Sequence, residues 1–227
     1  MSLSIAERIA LIRSGLPAGV RLIAVTKQVP SDAIREAYAA GIRDFAESRV
    51  QEAEPKTIQL QDLPDIAWHF IGHLQANKAQ KALQLFEWIH SVDSLKLAQR
   101  LDRLAEQLQR KPNVCLQVKI LRDPNKYGWT VPDLLADLCA LNQCRHLQIQ
   151  GLMTIPPLGL DESETLAVFE GARELAEKIR EQNWPNIRMR ELSMGMSADY
   201  SVAVKAGATA VRLGTVLFGE RQLSSPP

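Results

Sequence analysis

The apolar run LIAVTK (22–27) ends on a lysine. An amine delivered at the end of a buried strand, where desolvation and neighbouring cations lower its pKa, is the nucleophile that imine formation needs. A lysine that snorkels from a strand end to water is the plain alternative. Two later stretches carry groups suited to a phosphate. In SMGMSADY (193–200), Ser193 and Ser197 flank Gly195, whose missing side chain lets backbone approach a ligand. Ser197 also stands where a helix N-cap would turn unpaired N–H groups toward an anion. RLGTVLFG (212–219) repeats the device with Gly214 and Thr215. Taken singly, each reads more readily as a cap or a turn, but together they favour a phosphate site. Arg212 interrupts the small and branched residues of TAVRLG, and a guanidinium inside a strand must find a partner. A pyridine nitrogen would serve, and so would a buried ion pair with Glu47 or Glu191.

Other chemistry is poorly supported. His69 and His73 in HFIGH are spaced like zincin ligands but lack the adjacent glutamate, and no Walker lysine motif or GxGxxG occurs. Ser193, His73 and Asp93 could be assembled into a hydrolase set, without any nucleophile-elbow pattern behind them. Cys115, Cys139 and Cys144 show no CxxC spacing, so buried free thiols are expected rather than a disulfide or a zinc site.

The elements that must bring these residues together are short apolar runs alternating with amphipathic stretches. Strands are expected at 21–27, 43–48, 67–72, 87–92, 114–120, 147–154, 188–194 and 209–214. Ser4 and Glu7 form a capping box before Ile5, Ile9 and Ile12, and a second helix runs from Ser31 to Gly41. A longer one starts near Ser163, carries Leu166, Phe169, Ala172, Ala176 and Ile179 on one stripe, and ends at Asn183 and Pro185. Strand–helix alternation implies parallel pairing through right-handed crossovers. Eight such units fit a single α/β domain over 1–227, a closed (β/α)8 TIM barrel, better than an open doubly wound sheet, which usually has fewer, longer units. In such a barrel Lys27, Ser48, Gly72, His73, Asp93, Thr154, Ser193 to Ser197, Gly214 and Thr215 all follow strands and share one mouth.

Composition limits the partners. The 227 residues are 46% hydrophobic and 23% charged, with a formal net charge of +1, which offers no electrostatic footprint for nucleic acid or an anionic membrane. No apolar stretch reaches the roughly 18 residues of a membrane span. Glu7, Arg8 and Arg13 break up the N-terminus as a signal segment, so a cytoplasmic protein is expected.

The blocks LIAVTK, FAESRVQEAEPK, WHFIGHLQANKAQK, IHSVDS, GLMTIPP and LSMGMSADYSVAVKAGATAVRLGTVLFG, spread over essentially the whole chain, resemble the pyridoxal phosphate homeostasis proteins, the YggS, PROSC or PipY family. The resemblance implies a fold type III barrel like the alanine racemase N-terminal domain, with pyridoxal 5′-phosphate (PLP) as cofactor. It implies that Lys27 carries the covalent internal aldimine and that Arg212 faces the pyridine nitrogen. By the same carry-over Ser193, Ser197, Gly214 and Thr215 cradle the phosphate, with Met194 and Gly195 beside them and His69 and Gly72 lining the same mouth. Ala46, Glu47 and Ser48 stand where the family has Gly-Glu-Asn, so at Ser48 a hydroxyl replaces a side-chain amide. Thr26 and Gln28 stand for a serine and a threonine.

An arginine against the ring nitrogen disfavours its protonation, and an unprotonated ring is a weaker electron sink. Racemisation also needs a second acid–base group, and of Tyr38, Tyr127 and Tyr200 only Tyr127 is expected near the mouth. The function implied is therefore that of a PLP-binding regulator or carrier in vitamin B6 and amino-acid homeostasis, without strong catalysis, acting as a monomer and supplying PLP-dependent apoenzymes. A weak amino-acid racemase and a Schiff-base aldolase acting on a sugar phosphate are the rival readings.

Overall fold

The computed structural model describes residues 3–219. Its strands are β1 (Arg21–Val25), β2 (Asp44–Glu47), β3 (Ala67–Phe70), β4 (Trp88–Val92), β5 (Asn113–Lys119), β6 (Trp129–Thr130), β7 (Gln148–Met153), β8 (Ile187–Ser193) and β9 (Ala210–Leu213). They hydrogen-bond in the order β4-β3-β2-β1-β9-β8-β7-β5, and pairing of β4 with β5 closes the ring. Each of these pairings is parallel. The eight expected strands thus form a closed barrel, in which six are a little shorter than their apolar runs while β5 and β8 keep the expected length and start one residue earlier. The unexpected two-residue β6 pairs with β5 alone, outside the ring.

The helices are α1 (Ile5–Gly15), α2 (Ser31–Ala39), α3 (Val50–Gln59), α4 (Ala79–Leu85), α5 (Leu95–Gln107), α6 (Val131–Leu141), α7 (Glu162–Glu181), α8 (Tyr200–Lys205) and α9 (Thr215–Phe218). Ser4 and Glu7 close the capping box on α1, and Asp161 and Glu164 make a second one on α7. None of the described helices is long and apolar enough to cross a membrane. Cys115 and Cys144 are buried, as expected of free thiols, whereas Cys139 on α6 is exposed because it faces away from the stripe formed by Leu134, Leu138 and Leu141.

Strand alternation divides the core in two. Outward-facing residues such as Leu22, Phe45, Phe70, Ile89, Leu116 and Val211 join the helices in one large apolar shell. Inside the ring the apolar cluster is small, namely Ile23, Val25, Ala46 and Ala210, with Ile71 against it. The lumen also holds the buried polar side chains of His69, His90, Ser193 and Arg212. His90 on β4 hydrogen-bonds Ser193 on β8, two strands that are not neighbours in the ring, so the bond spans the interior.

Candidate functional site

Lys27 lies just past β1, in a tight turn where the Val29 N–H donates to the Thr26 carbonyl at 2.9 Å. Gln28, at φ +61°, supplies the left-handed step of that turn. The turn is anchored from behind. The Thr26 hydroxyl donates to Glu47 Oε1 at 2.7 Å, and Lys56 Nζ donates to the same oxygen and to the Thr26 carbonyl, each at 2.7 Å. Burial raises the Glu47 pKa, and the Lys56 ammonium and Thr26 hydroxyl oppose that rise. Lys56, from α3, was not legible as a site residue in the sequence.

A cavity of about 430 Å³ opens at this end of the barrel. Lys27, Ser48, Gly72, Ser197, Arg212, Gly214 and Thr215 line it, brought together from the ends of β1, β2, β3, β8 and β9. Val25, Ile71, Ile155, Met196 and Ala198 supply its apolar wall, of which only Met196 fell within the stretches expected at the mouth. A larger hollow of about 620 Å³ beside it shares Ser48 but includes neither Lys27 nor Arg212, so the chemistry belongs to the smaller one.

Arg212 is only 4% exposed. Its Nη1 donates to Ser193 Oγ at 2.8 Å and its Nη2 to the Thr154 carbonyl at 3.3 Å. Neither expected ion pair forms: Glu47 is taken by Lys56, and Glu191 lies 3.7 Å from Arg21. Burial lowers the guanidinium pKa to about 10, which leaves it cationic at neutral pH.

The expected phosphate cradle divides into a lining and a support. Ser197 lines the cavity, and its Oγ accepts the Gly214 N–H at 3.3 Å, tying the two loops together. It is not a helix N-cap. The Asp199 carboxylate folds back onto the Met196 N–H at 2.6 Å, so α8 starts only at Tyr200. Ser193 does not line the cavity. As the last residue of β8 it points into the lumen, where Arg212 and His90 occupy its hydroxyl. Met194 is buried in the outer shell. Gly195, at φ +93°, accepts the Arg212 N–H at 3.0 Å, and a Cβ there would sit 2.6 Å from the Ala203 Cβ.

Two further expectations shift. His69 lies a layer below the mouth, two residues before Ile71, fully buried between His90 and Asp44 at 2.9 Å each. His73 accompanies Asp93 at 3.0 Å and stacks on Tyr127 at 3.6 Å, but Ser193 is engaged elsewhere, so these three residues form no Ser–His–Asp set.

A small cavity with one primary amine, one buried cation and backbone-lined loop ends fits a compact phosphorylated aldehyde. Residues 3–222 match the family model described as alanine racemase, N-terminal domain. Similarity extends further to the pyridoxal phosphate homeostasis protein of Synechocystis sp., 52% identical over 91% of this chain and 94% of that protein. The Escherichia coli (strain K12) protein of the same description is 38% identical over 92% of this chain and 88% of its own length. Among solved structures, PipY of Synechococcus elongatus with PLP bound superposes with a TM-score of 0.91 at 56% identity, over 95% of this chain and all of that one. Alanine racemase of Clostridium difficile shares the fold alone, with a TM-score of 0.76 at 15% identity, over 97% of this chain and 58% of that one. The chain therefore belongs to the pyridoxal phosphate homeostasis proteins, a family built on the alanine racemase N-terminal barrel.

Proposed function

We propose that this chain binds PLP in the mouth cavity and takes part in intracellular PLP and amino-acid homeostasis. The observation that carries the reading is the convergence of Lys27, Arg212, Ser197, Gly214 and Thr215 on one cavity of about 430 Å³. When bound, PLP supplies an aldehyde that forms a Schiff base with a primary amine. Lys27 would hold the cofactor through that amine. Arg212, cationic at the cavity wall, would disfavour protonation of a pyridine ring bound there. The Ser197–Gly214 contact ties together the two loops that would hold the phosphate with Thr215, and the Gly195 carbonyl, accepting the Arg212 N–H, joins the β8 and β9 ends. Ser193, Met194 and His69 support the cradle from beneath rather than touching the phosphate, while Ser48 and Gly72 form the opposite rim.

The lining also favours holding over turnover. Among the described residues that line the cavity, Lys27 and Arg212 are the only titratable side chains, whereas racemisation asks for an acid–base group on each face of the substrate. We further read the protein as a cytoplasmic monomer that releases PLP to PLP-dependent apoenzymes.

Incubation of the purified protein with PLP should give a visible absorption band. Borohydride reduction and peptide mass analysis should then place a pyridoxyl group on Lys27. A protein that stays colourless would sink the reading. Incorporation of α-deuterium from deuterated water into single-enantiomer amino acids, above a Lys27→Ala control, would favour the racemase instead.

A further inference from the structure

A line of hydrogen bonds crosses the barrel lumen from mouth to floor. Arg212 Nη1 meets Ser193 Oγ at 2.8 Å, Ser193 Oγ meets His90 Nδ1 at 2.8 Å, His90 Nε2 meets His69 Nδ1 at 2.9 Å, and His69 Nε2 meets Asp44 Oδ1 at 2.9 Å. Ser193, His90 and His69 have no exposed surface. Arg212 meets the mouth cavity at one end, and Asp44, beside Arg21 at 3.9 Å with its side chain 26% exposed, meets solvent at the other.

Elementary donor rules permit one proton order along this line. A guanidinium only donates and a carboxylate only accepts. Burial favours the neutral form of both imidazoles, and the charges of Arg212 and Arg21 act on His90 in the same sense. His69 must then give its Nε2 proton to Asp44 and accept at Nδ1. His90 must give its Nε2 proton to His69 and accept at Nδ1. The Ser193 proton is thereby committed to His90, and toward Arg212 its oxygen can only accept. Because arginine does not release its proton, the line carries none to the mouth. What it carries is orientation.

We propose that His90 and His69, ending on Asp44, are positioning residues for the cofactor site: they fix Ser193 as a one-way acceptor and so fix the guanidinium of Arg212 that lines the cavity. This rests on the PLP reading above. The charged and titratable groups facing the line are Arg21 on β1, Asp44 on β2, Cys115 on β5, Glu191 on β8, Asp199 after β8 and Arg212 on β9. All of them stay in place in the variants chosen for the test.

The full chain is loaded with PLP, and its visible spectrum is titrated with pH in wild type, Ser193→Ala, Ser193→Thr, His90→Leu and His90→Gln. Ser193→Ala and His90→Leu break the line without changing charge. They should weaken PLP binding by about tenfold, the loss expected when a hydrogen bond to a charged group goes. They should also move the spectral pH midpoint upward, because a guanidinium free to swing away imposes less positive potential on the Schiff base. Ser193→Thr keeps the hydroxyl, and His90→Gln can accept at one end and donate at the other, so both should stay near the wild-type affinity and midpoint. Where His90→Leu does not fold, as judged by circular dichroism, Ser193→Ala, which removes one oxygen, carries the test. Midpoints and affinities unchanged in Ser193→Ala, with Lys27 still modified, overturn this inference and leave the PLP reading intact. A wild type that takes up no pyridoxyl group overturns both.

Discussion

Arg212 and Gly72 show how single residues define the site. Arg212 reaches the Ser193 hydroxyl from Nη1 and the Thr154 carbonyl from Nη2, a fixed span between two nitrogens that the single nitrogen of a lysine does not match. Arg212→Lys should therefore weaken PLP binding by about tenfold or more while preserving charge, as measured by absorbance titration. At Gly72 a Cβ would lie 2.0 Å from the Ser48 carbonyl oxygen, and backbone cannot rotate away as a side chain could. Gly72→Ala should cost about 1–3 kcal/mol in urea denaturation, typical of overpacking, and should lower PLP affinity because Ser48 and Gly72 share the cavity wall. Lys27 and Arg212 were legible because each is charged within or at the end of an apolar strand. His90 was not, since in EWIHSV nothing distinguishes an inward histidine from one facing solvent until the partner across the lumen is known. Ser193 was legible as a hydroxyl near the mouth, but the direction of its side chain depends on where β8 ends.

At the scale of elements, strand ends and helix caps set where the chemistry falls. The 20-residue α7 packs Val168, Phe169, Ala172, Leu175, Ala176 and Ile179 against the barrel and contributes nothing to the cavity lining. Asp161→Ala removes its capping box and should cost about 1 kcal/mol, and Phe169→Ala should cost about 3–5 kcal/mol, both read by urea denaturation with PLP affinity of the folded protein unchanged. A loss of affinity in either would show that the outer shell controls the mouth. The stripe of α7 and its end near Asn183 could be read from periodicity because twenty residues repeat the pattern many times. Two residues repeat nothing, which is why β6 was invisible. The α8 start was displaced for a local reason, the competing turn closed by Asp199, which a preference for serine at N-caps cannot anticipate.

For the molecule as a whole, the alternation of strands and helices was enough to suggest closure, yet nothing in it revealed a lumen lined by histidines. That lumen ties stability to pH. Both His69 and His90 have pKa values pushed below their ordinary value by burial. Their contribution is complete above the unfolded pKa near 6.5, and it is lost as pH falls toward the folded values, because the unfolded chain takes up protons that the folded lumen refuses. Each histidine should then lower stability by up to about 1.4 kcal/mol per pH unit in that window. Burial raises Glu47 and Glu191, which act in the opposite sense, so the clean measurement is a difference. Urea unfolding at pH 7.5, 6.5 and 5.5 should give a shallower acid decline in His90→Gln than in wild type, and equal slopes would contradict the sign assigned here.

The fully buried stretch of the line, Ser193, His90 and His69, has a practical corollary. Imidazole protons sealed from water exchange slowly, so the Nε2 protons of His69 and His90 should give resolved low-field proton NMR signals in the native chain. A change at the mouth would then be visible at the floor of the barrel, and loading of the site could be followed without a label anywhere near it.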